Sequence, residues 1–88
     1  MKEIKNISDI DEFALIDFYT DNCGACKIIA PILEKNKGIY GATFYKMNLT
    51  NNKWAIEKFN LASVPTLILL KNRKEIARHV GFISEKVL

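Results

Sequence analysis

The sequence predicts a small α/β domain, with a central mixed sheet of four to five strands flanked by helices on both faces. Three observations carry that prediction. Apolar runs of strand length alternate with segments of helical periodicity, in the order β-α-β-α-β-α-β-β, which implies parallel pairing at the front of the sheet. The last two strands are separated only by the basic turn Lys71-Asn72-Arg73-Lys74, so they form a hairpin. And 88 residues hold one hydrophobic core, so residues 1–88 are expected to be a single domain.

Taken in order, Met1 to Ile7 offers a short strand. Ser8-Asp9-Ile10-Asp11 resembles a capping box, with Ser8 accepting from the free amides of a first turn, and predicts a brief helix over 9–12. Phe13-Ala14-Leu15-Ile16-Asp17-Phe18-Tyr19 is an apolar run broken by one acid, the pattern of a central strand buried on both faces. Ile28, Ile29, Ile32 and Leu33 then recur at helical spacing, Gly38 supplies a left-handed stop, and Pro31 falls inside that helix, where it should kink the axis. Thr43 to Met47 reads as the next strand. Residues 51–59 read as a helix with Trp54, Ala55 and Phe59 turned inward. Thr66 to Leu70 and Glu75 to Val80 complete the sheet.

Composition narrows the function. About half the residues are apolar and a quarter charged, the balance of an ordinary globular domain. The net charge of +3 is spread along the chain, and the one basic run sits in a turn, so a nucleic-acid face is not expected. No apolar stretch approaches the roughly 20 residues of a membrane span. The N-terminus lacks the apolar core of a secretory signal, which points to the cytoplasm. Two cysteines are too few for a disulfide framework, and in a reducing compartment a close pair is more often catalytic or metal-binding than a staple.

Those cysteines, Cys23 and Cys26, enclose Gly24 and Ala25 where the buried strand ends and a helix begins. The free amides and positive end of a helix N-terminus favour an anion. Cys23 is therefore the exposed sulfur whose thiolate is stabilised, and Cys26, one turn in, faces inward. Lowering a thiol pKa from about 8.5 to about 7 raises the thiolate fraction from about 3% to about half. The accompanying loss of nucleophilicity leaves a net gain of only about three-fold. Exposure and a second thiol within reach are the larger advantages. Zinc, an iron–sulfur cluster shared between subunits and a purely structural bridge are the alternatives. Zinc wants four ligands, and the chain has two cysteines and one histidine. A bridge closing so small a loop constrains the unfolded chain little. The context favours a redox pair and no metal.

The stretch "LIDFYTDNCGACK" resembles the strand and active-site segment of the thioredoxin family, and "SVPTLILLKN" is similar to that family's loop and strand carrying a cis-proline. Pro31 matches the proline of the active-site helix and Gly81 a glycine after the last strand, so the resemblance covers nearly the whole chain. It implies a thioredoxin-like fold and a thiol–disulfide oxidoreductase. Cys23 would attack a substrate disulfide and Cys26 would resolve the mixed disulfide. Asp17 would assist removal of the proton from Cys26, and Lys46 would partner that acid. Pro65 would be cis and leave the Val64 backbone free to pair with an extended substrate segment. Asn22, Gly24, Ala25, Val64, Pro65 and Gly81 are thus the expected substrate-binding positions. Asn22 stands where the family usually has Trp and Ala25 where it has Pro, which bears on partner choice and redox potential. The tail "FISEKVL" implies a shortened C-terminal helix. Trp54 is expected in the core and His79 on an exposed strand position.

The implied partners are disulfide-containing proteins and a thioredoxin-reductase-type enzyme, acting on a cytoplasmic monomer with no cofactor, no nucleic acid and no membrane. A glutaredoxin-like electron donor, for example to ribonucleotide reductase, and a non-catalytic binding module are the competing readings.

Overall fold

A computed structural model describes residues 1–84 and 86. Phe13–Tyr19 (β2) is the central strand of a five-stranded sheet. Its neighbours are Thr43–Asn48 (β3), parallel to it, and Thr66–Lys71 (β4), antiparallel. Lys2–Glu3 (β1) pairs parallel with β3, and Lys74–Val80 (β5) closes the other edge antiparallel to β4. The sheet is therefore mixed, parallel on one side and a hairpin on the other. Asn72 and Arg73, at φ 51° and 65°, make that hairpin's turn, the doubly left-handed geometry that matches strand twist.

The unbroken apolar run of β2 has a simple consequence. Ala14, Ile16 and Phe18 enter one core with Tyr45, Met47, Ile68, Leu70, Ala55 and Phe59. Leu15 enters the other with Ile29, Leu33, Phe44 and Leu67. Helix Gly24–Lys35 (α1) covers the second face through Ile29 and Leu33, and Trp54–Lys58 (α2) covers the first through Ala55. Phe18 and Phe59 meet at a centroid separation of 5.0 Å, tilted by 47°.

Four expectations are corrected. Residues 9–12 form no helix; a turn at Ser8 and Asp9 replaces it. Ser8 donates from its backbone N and its Oγ to Asn6 Oδ1, at 3.0 and 2.6 Å, instead of capping. The Asp11 amide donates to Tyr45 Oη at 2.9 Å, and the Arg73 guanidinium donates to the carbonyls of Ile7 and Ser8. Tertiary side chains thus satisfy a segment too short to sustain a helical ladder. The second helix is shorter than 51–59, because turns occupy 49–51 and Lys53. Trp54 is 43% exposed: Ala55 and Phe59, four apart, define the inward side, and Trp54 sits about 100° round the helix from Ala55. Ile28 is 58% exposed for the same reason, one residue out of phase with Ile29 and Leu33.

Pro31 lies exposed inside α1, which ends at Lys35 with the Asn36 amide bonding the carbonyls of Ile32 and Leu33. Gly38, at φ 88°, opens the short 3-10 turn Ile39–Gly41 instead of stopping the helix itself. The expected shortened terminal helix falls on residues 82–88. Phe82, Ile83 and Ser84 are not helical, with Ile83 buried against the α1-side core, and positions 85, 87 and 88 lie outside the described residues.

Candidate active site

Cys23 is the N-cap of α1, in extended conformation, and Cys26 lies within the first turn. The two are joined as a disulfide, the oxidised form of the pair, with Cα atoms 5.2 Å apart. The Cys26 amide donates to Cys23 Sγ at 3.1 Å. That amide is one of the N–H groups an α-helix leaves free at its start, and here it points at sulfur. In the reduced protein the same donor and the helix dipole favour a thiolate on Cys23. Cys23 is half-buried and Cys26 buried, so Cys23 is the more accessible of the two. Asn22 and Gly24 are exposed and Ala25 half-buried. A Cβ added to Gly24 would meet nothing within 4 Å, so the space beside Gly24 is open.

Beneath the pair lies Asp17, 2% exposed, its Oδ1 buried with no hydrogen-bond partner. Desolvation by burial raises its pKa from 3.8 to about 7; the Lys46 charge opposes that rise and the Glu3 charge adds to it. Asp17 and Cys26 both line a cleft of about 220 Å³, along with Tyr19, Thr20, Asp21, Lys27, Ala30 and Lys46. A cleft of that size has room for water. Lys46 faces Asp17 in register across β2 and β3.

The Val64–Pro65 peptide bond is cis, and Pro65 is fully buried. Val64, half-buried, lies two residues before Thr66, the first residue of β4, where pairing with β2 and β5 begins. Gly81, at φ 92°, donates its amide to the Pro65 carbonyl at 2.8 Å. Thr66 Oγ1 donates to the Ser63 carbonyl at 2.7 Å. A second cleft, of about 400 Å³, runs along Val64 with Leu49, Ile56, Leu61 and Lys53. Thr20 lines both clefts and joins them.

The structure therefore gathers Asp17, Cys26 and Lys46 around one cleft and Val64 beside the next. It leaves Trp54 on α2 and His79 on β5, where the imidazole Nε2 lies 2.9 Å from the Phe82 carbonyl. Sequence reasoning missed Glu3, Tyr19, Thr20, Asp21 and Lys27. The last four flank the motif within a few residues, and their closeness to Asp17 and Cys26 was the available signal. Glu3 had none, because only strand register brings it near. Among the described residues no group of three or more His, Cys, Asp or Glu side chains could hold a metal ion. No helix among them is long and apolar enough to cross a membrane.

The Thioredoxin family model matches residues 3–88. Thioredoxin-1 of Saccharomyces cerevisiae is 42% identical over 72 residues, covering 81% of this chain and 70% of the yeast protein. A Chlamydia pneumoniae thioredoxin is 34% identical over 94 residues, covering 100% of this chain and 92% of its own. A peptide-N(4)-(N-acetyl-beta-glucosaminyl)asparagine amidase of Caenorhabditis elegans is 38% identical over 80 residues, 86% of this chain but only 13% of that protein. Among solved structures, Malassezia sympodialis thioredoxin superposes with a TM-score of 0.84 at 26% identity, covering 97% of this chain and 82% of that one.

Proposed function

The chain belongs to the thioredoxin family, and from that premise we propose that it reduces disulfides in protein substrates, with Asp17 as the proton acceptor for Cys26. Its activity is thiol–disulfide exchange through the Cys23–Cys26 pair. The observation that carries the direction of attack is the Cys26 amide aimed at Cys23 Sγ from the start of α1.

The steps follow from the geometry. The Cys23 thiolate attacks one sulfur of a substrate disulfide; a Cys23–substrate disulfide forms and the other substrate sulfur leaves as a thiolate, which takes a proton from solvent. Cys26 then loses its proton toward Asp17 through the shared cleft, and its thiolate attacks Cys23 Sγ. The second substrate sulfur leaves and is protonated. The substrate has gained two electrons and two protons, and the enzyme holds its disulfide. A carboxylate whose pKa is about 7 both accepts and returns a proton near neutral pH, which is what a general base at this step needs. Lys46 modulates that acid. The Val64 backbone pairs with an extended substrate segment beside Pro65, while Asn22, Gly24, Ala25 and Gly81 border the contact.

In this reading the protein is a cytoplasmic monomer carrying electrons without a further cofactor, recharged by a thioredoxin-reductase-type enzyme. The test is insulin reduction driven by dithiothreitol: the protein accelerates it, and Cys23→Ser abolishes the acceleration. Equal rates for the two proteins would overturn the proposal. The reduction potential fixes direction: a value near about −270 mV marks a reductase, and about −180 mV or higher an oxidant or isomerase.

A further inference from the structure

The α1-covered face of the sheet carries a row of charge that crosses three strands. Asp17 on β2 pairs in register with Lys46 on β3, and Lys46 pairs in register with Glu3 on β1. Residues paired in register project to the same face, so Lys46 occupies the strand position between Asp17 and Glu3. Nearer the sheet's middle this face is apolar, with Leu15, Phe44 and Leu67 packed beneath Ile29 and Leu33. The charged row therefore sits where the apolar layer gives out, at the Cys26 end of the helix.

Glu3 is not a loose surface acid. Tyr19 Oη donates to Glu3 Oε1, and the Asn48 amide donates to Glu3 Oε2 at 3.1 Å. Both carboxylate oxygens are thereby fixed, one by β2 and one by β3. Tyr19 itself lines the cleft that Asp17 and Cys26 share, so the contacts holding Glu3 begin at the cleft wall. Asn48 also donates from Nδ2 to Asp21 Oδ1 at 2.8 Å, which ties the loop before Cys23 to the same residue.

We propose that Glu3 is a positioning residue for the exchange reaction: pinned by Tyr19 and Asn48, it divides the Lys46 charge between two carboxylates and keeps Asp17 from being locked as an ion. This rests on the reading of Asp17 as acceptor of the Cys26 proton. The groups facing Asp17 are Lys46 on β3, Glu3 on β1, Cys26 and Lys27 on α1, and Tyr19 and Asp21 at the end of its own strand. Its partner on β4, Leu67, is apolar. Of these charged groups, Lys46 and Glu3 are the two that act on the carboxylate. Glu3 is the acid whose position is set by the sheet and held at both oxygens. The direction of its influence agrees with the charge, since Glu3 raises the Asp17 pKa while Lys46 lowers it.

The size of the effect follows from the sheet spacing. Two strand intervals of about 4.8 Å put the backbones of Glu3 and Asp17 about 10 Å apart. At an effective dielectric near 20 that separation is worth about one pH unit, and solvent at the exposed edge reduces it to about half a unit.

Glu3→Gln keeps an acceptor for Tyr19 or Asn48 and removes the charge. Carbon-detected NMR titration of the Asp17 carboxyl in the reduced protein is expected to show its midpoint lowered by about half a unit. The acid limb of the resolution step, followed by stopped-flow release from a Cys23 mixed disulfide, moves down by the same amount. Glu3→Asp, which restores the charge, is expected to recover part of the shift. An unmoved Asp17 midpoint in a folded Glu3→Gln protein overturns the inference. A shifted midpoint, together with an Asp17→Asn variant that resolves mixed disulfides at the wild-type rate at every pH, overturns the reading of Asp17 and leaves the Glu3–Asp17 coupling intact.

Discussion

Asp17 is a carboxyl group placed where water cannot solvate its anion, and that placement has a thermodynamic signature apart from any catalytic one. With a pKa near 3.8 in the unfolded chain and about 7 in the folded protein, the native state binds more protons than the unfolded state between those values. Below about pH 4 both states are protonated and the group contributes no penalty. As pH rises from there to about 7 stability falls, and above about 7 the full penalty remains, of the order of 4 kcal/mol for a shift of this size. Asp17→Asn removes the charge and leaves a buried amide, which offsets part of the gain. The expected outcome is a variant about 2–3 kcal/mol more stable than wild type at pH 8 by urea unfolding, the difference falling as pH is lowered and reversing below about pH 4 to a loss of about 1–2 kcal/mol, where only the cost of the buried amide remains. A gain independent of pH would show that the carboxylate is not what destabilises the protein.

At the scale of elements, α1 separates into a face packed on the sheet and a face turned to solvent. Ile29 is fully buried and its neighbour Ile28 is 58% exposed. Ile29→Ala should therefore cost about 3 kcal/mol through lost burial and an unfilled cavity, whereas Ile28→Ser should change stability by less than about 0.5 kcal/mol. Equilibrium unfolding of both variants checks the pair, and comparable losses would mean that the helix is rotated from the orientation described. This contrast also marks what the sequence could and could not say. The spacing of Ile28, Ile29, Ile32 and Leu33 announced a helix, because apolar residues three and four apart share a side. It did not say which of two adjacent isoleucines faced in, since that depends on where the sheet lies. The same ambiguity of phase put Trp54 in the core on paper and on the surface of α2 in the structure. The strands were legible because runs such as 13–19 and 66–70 are too continuously apolar to have an outer side. The 9–12 helix failed for the opposite reason: Ser8 and Asp11 have good local chemistry, but Asn6, Tyr45 and Arg73 offer them partners from elsewhere in the fold.

The site as a whole belongs to no single element, and that limits how far any sequence reading reaches. Cys23, Cys26 and the strand before them are contiguous, so their relation to a helix start was legible. Lys46 came from the family resemblance, and the register of β2 against β3 supplies its physical basis. Glu3 was invisible, because no local pattern says which residue of a two-residue edge strand will lie beside Lys46. The three-strand row yields a further test with the opposite sign to the loss of Glu3. Lys46→Met keeps the length of the side chain and removes the cation that favours the Asp17 anion. The Asp17 pKa should then rise beyond about 7, so that less of the acid is ionised at neutral pH. Resolution of a Cys23 mixed disulfide by Cys26 is expected to slow several-fold at pH 7 and to recover as pH increases. Attack by Cys23, which depends on the helix start and not on this row, should change little. Separate pH profiles for the two half-reactions decide the matter. An equal loss in both would mean that Lys46 supports the fold of the sheet, not the proton balance of its acid. A loss confined to the second step, displaced to higher pH, places the lysine's charge in the reaction and makes the sheet register its cause.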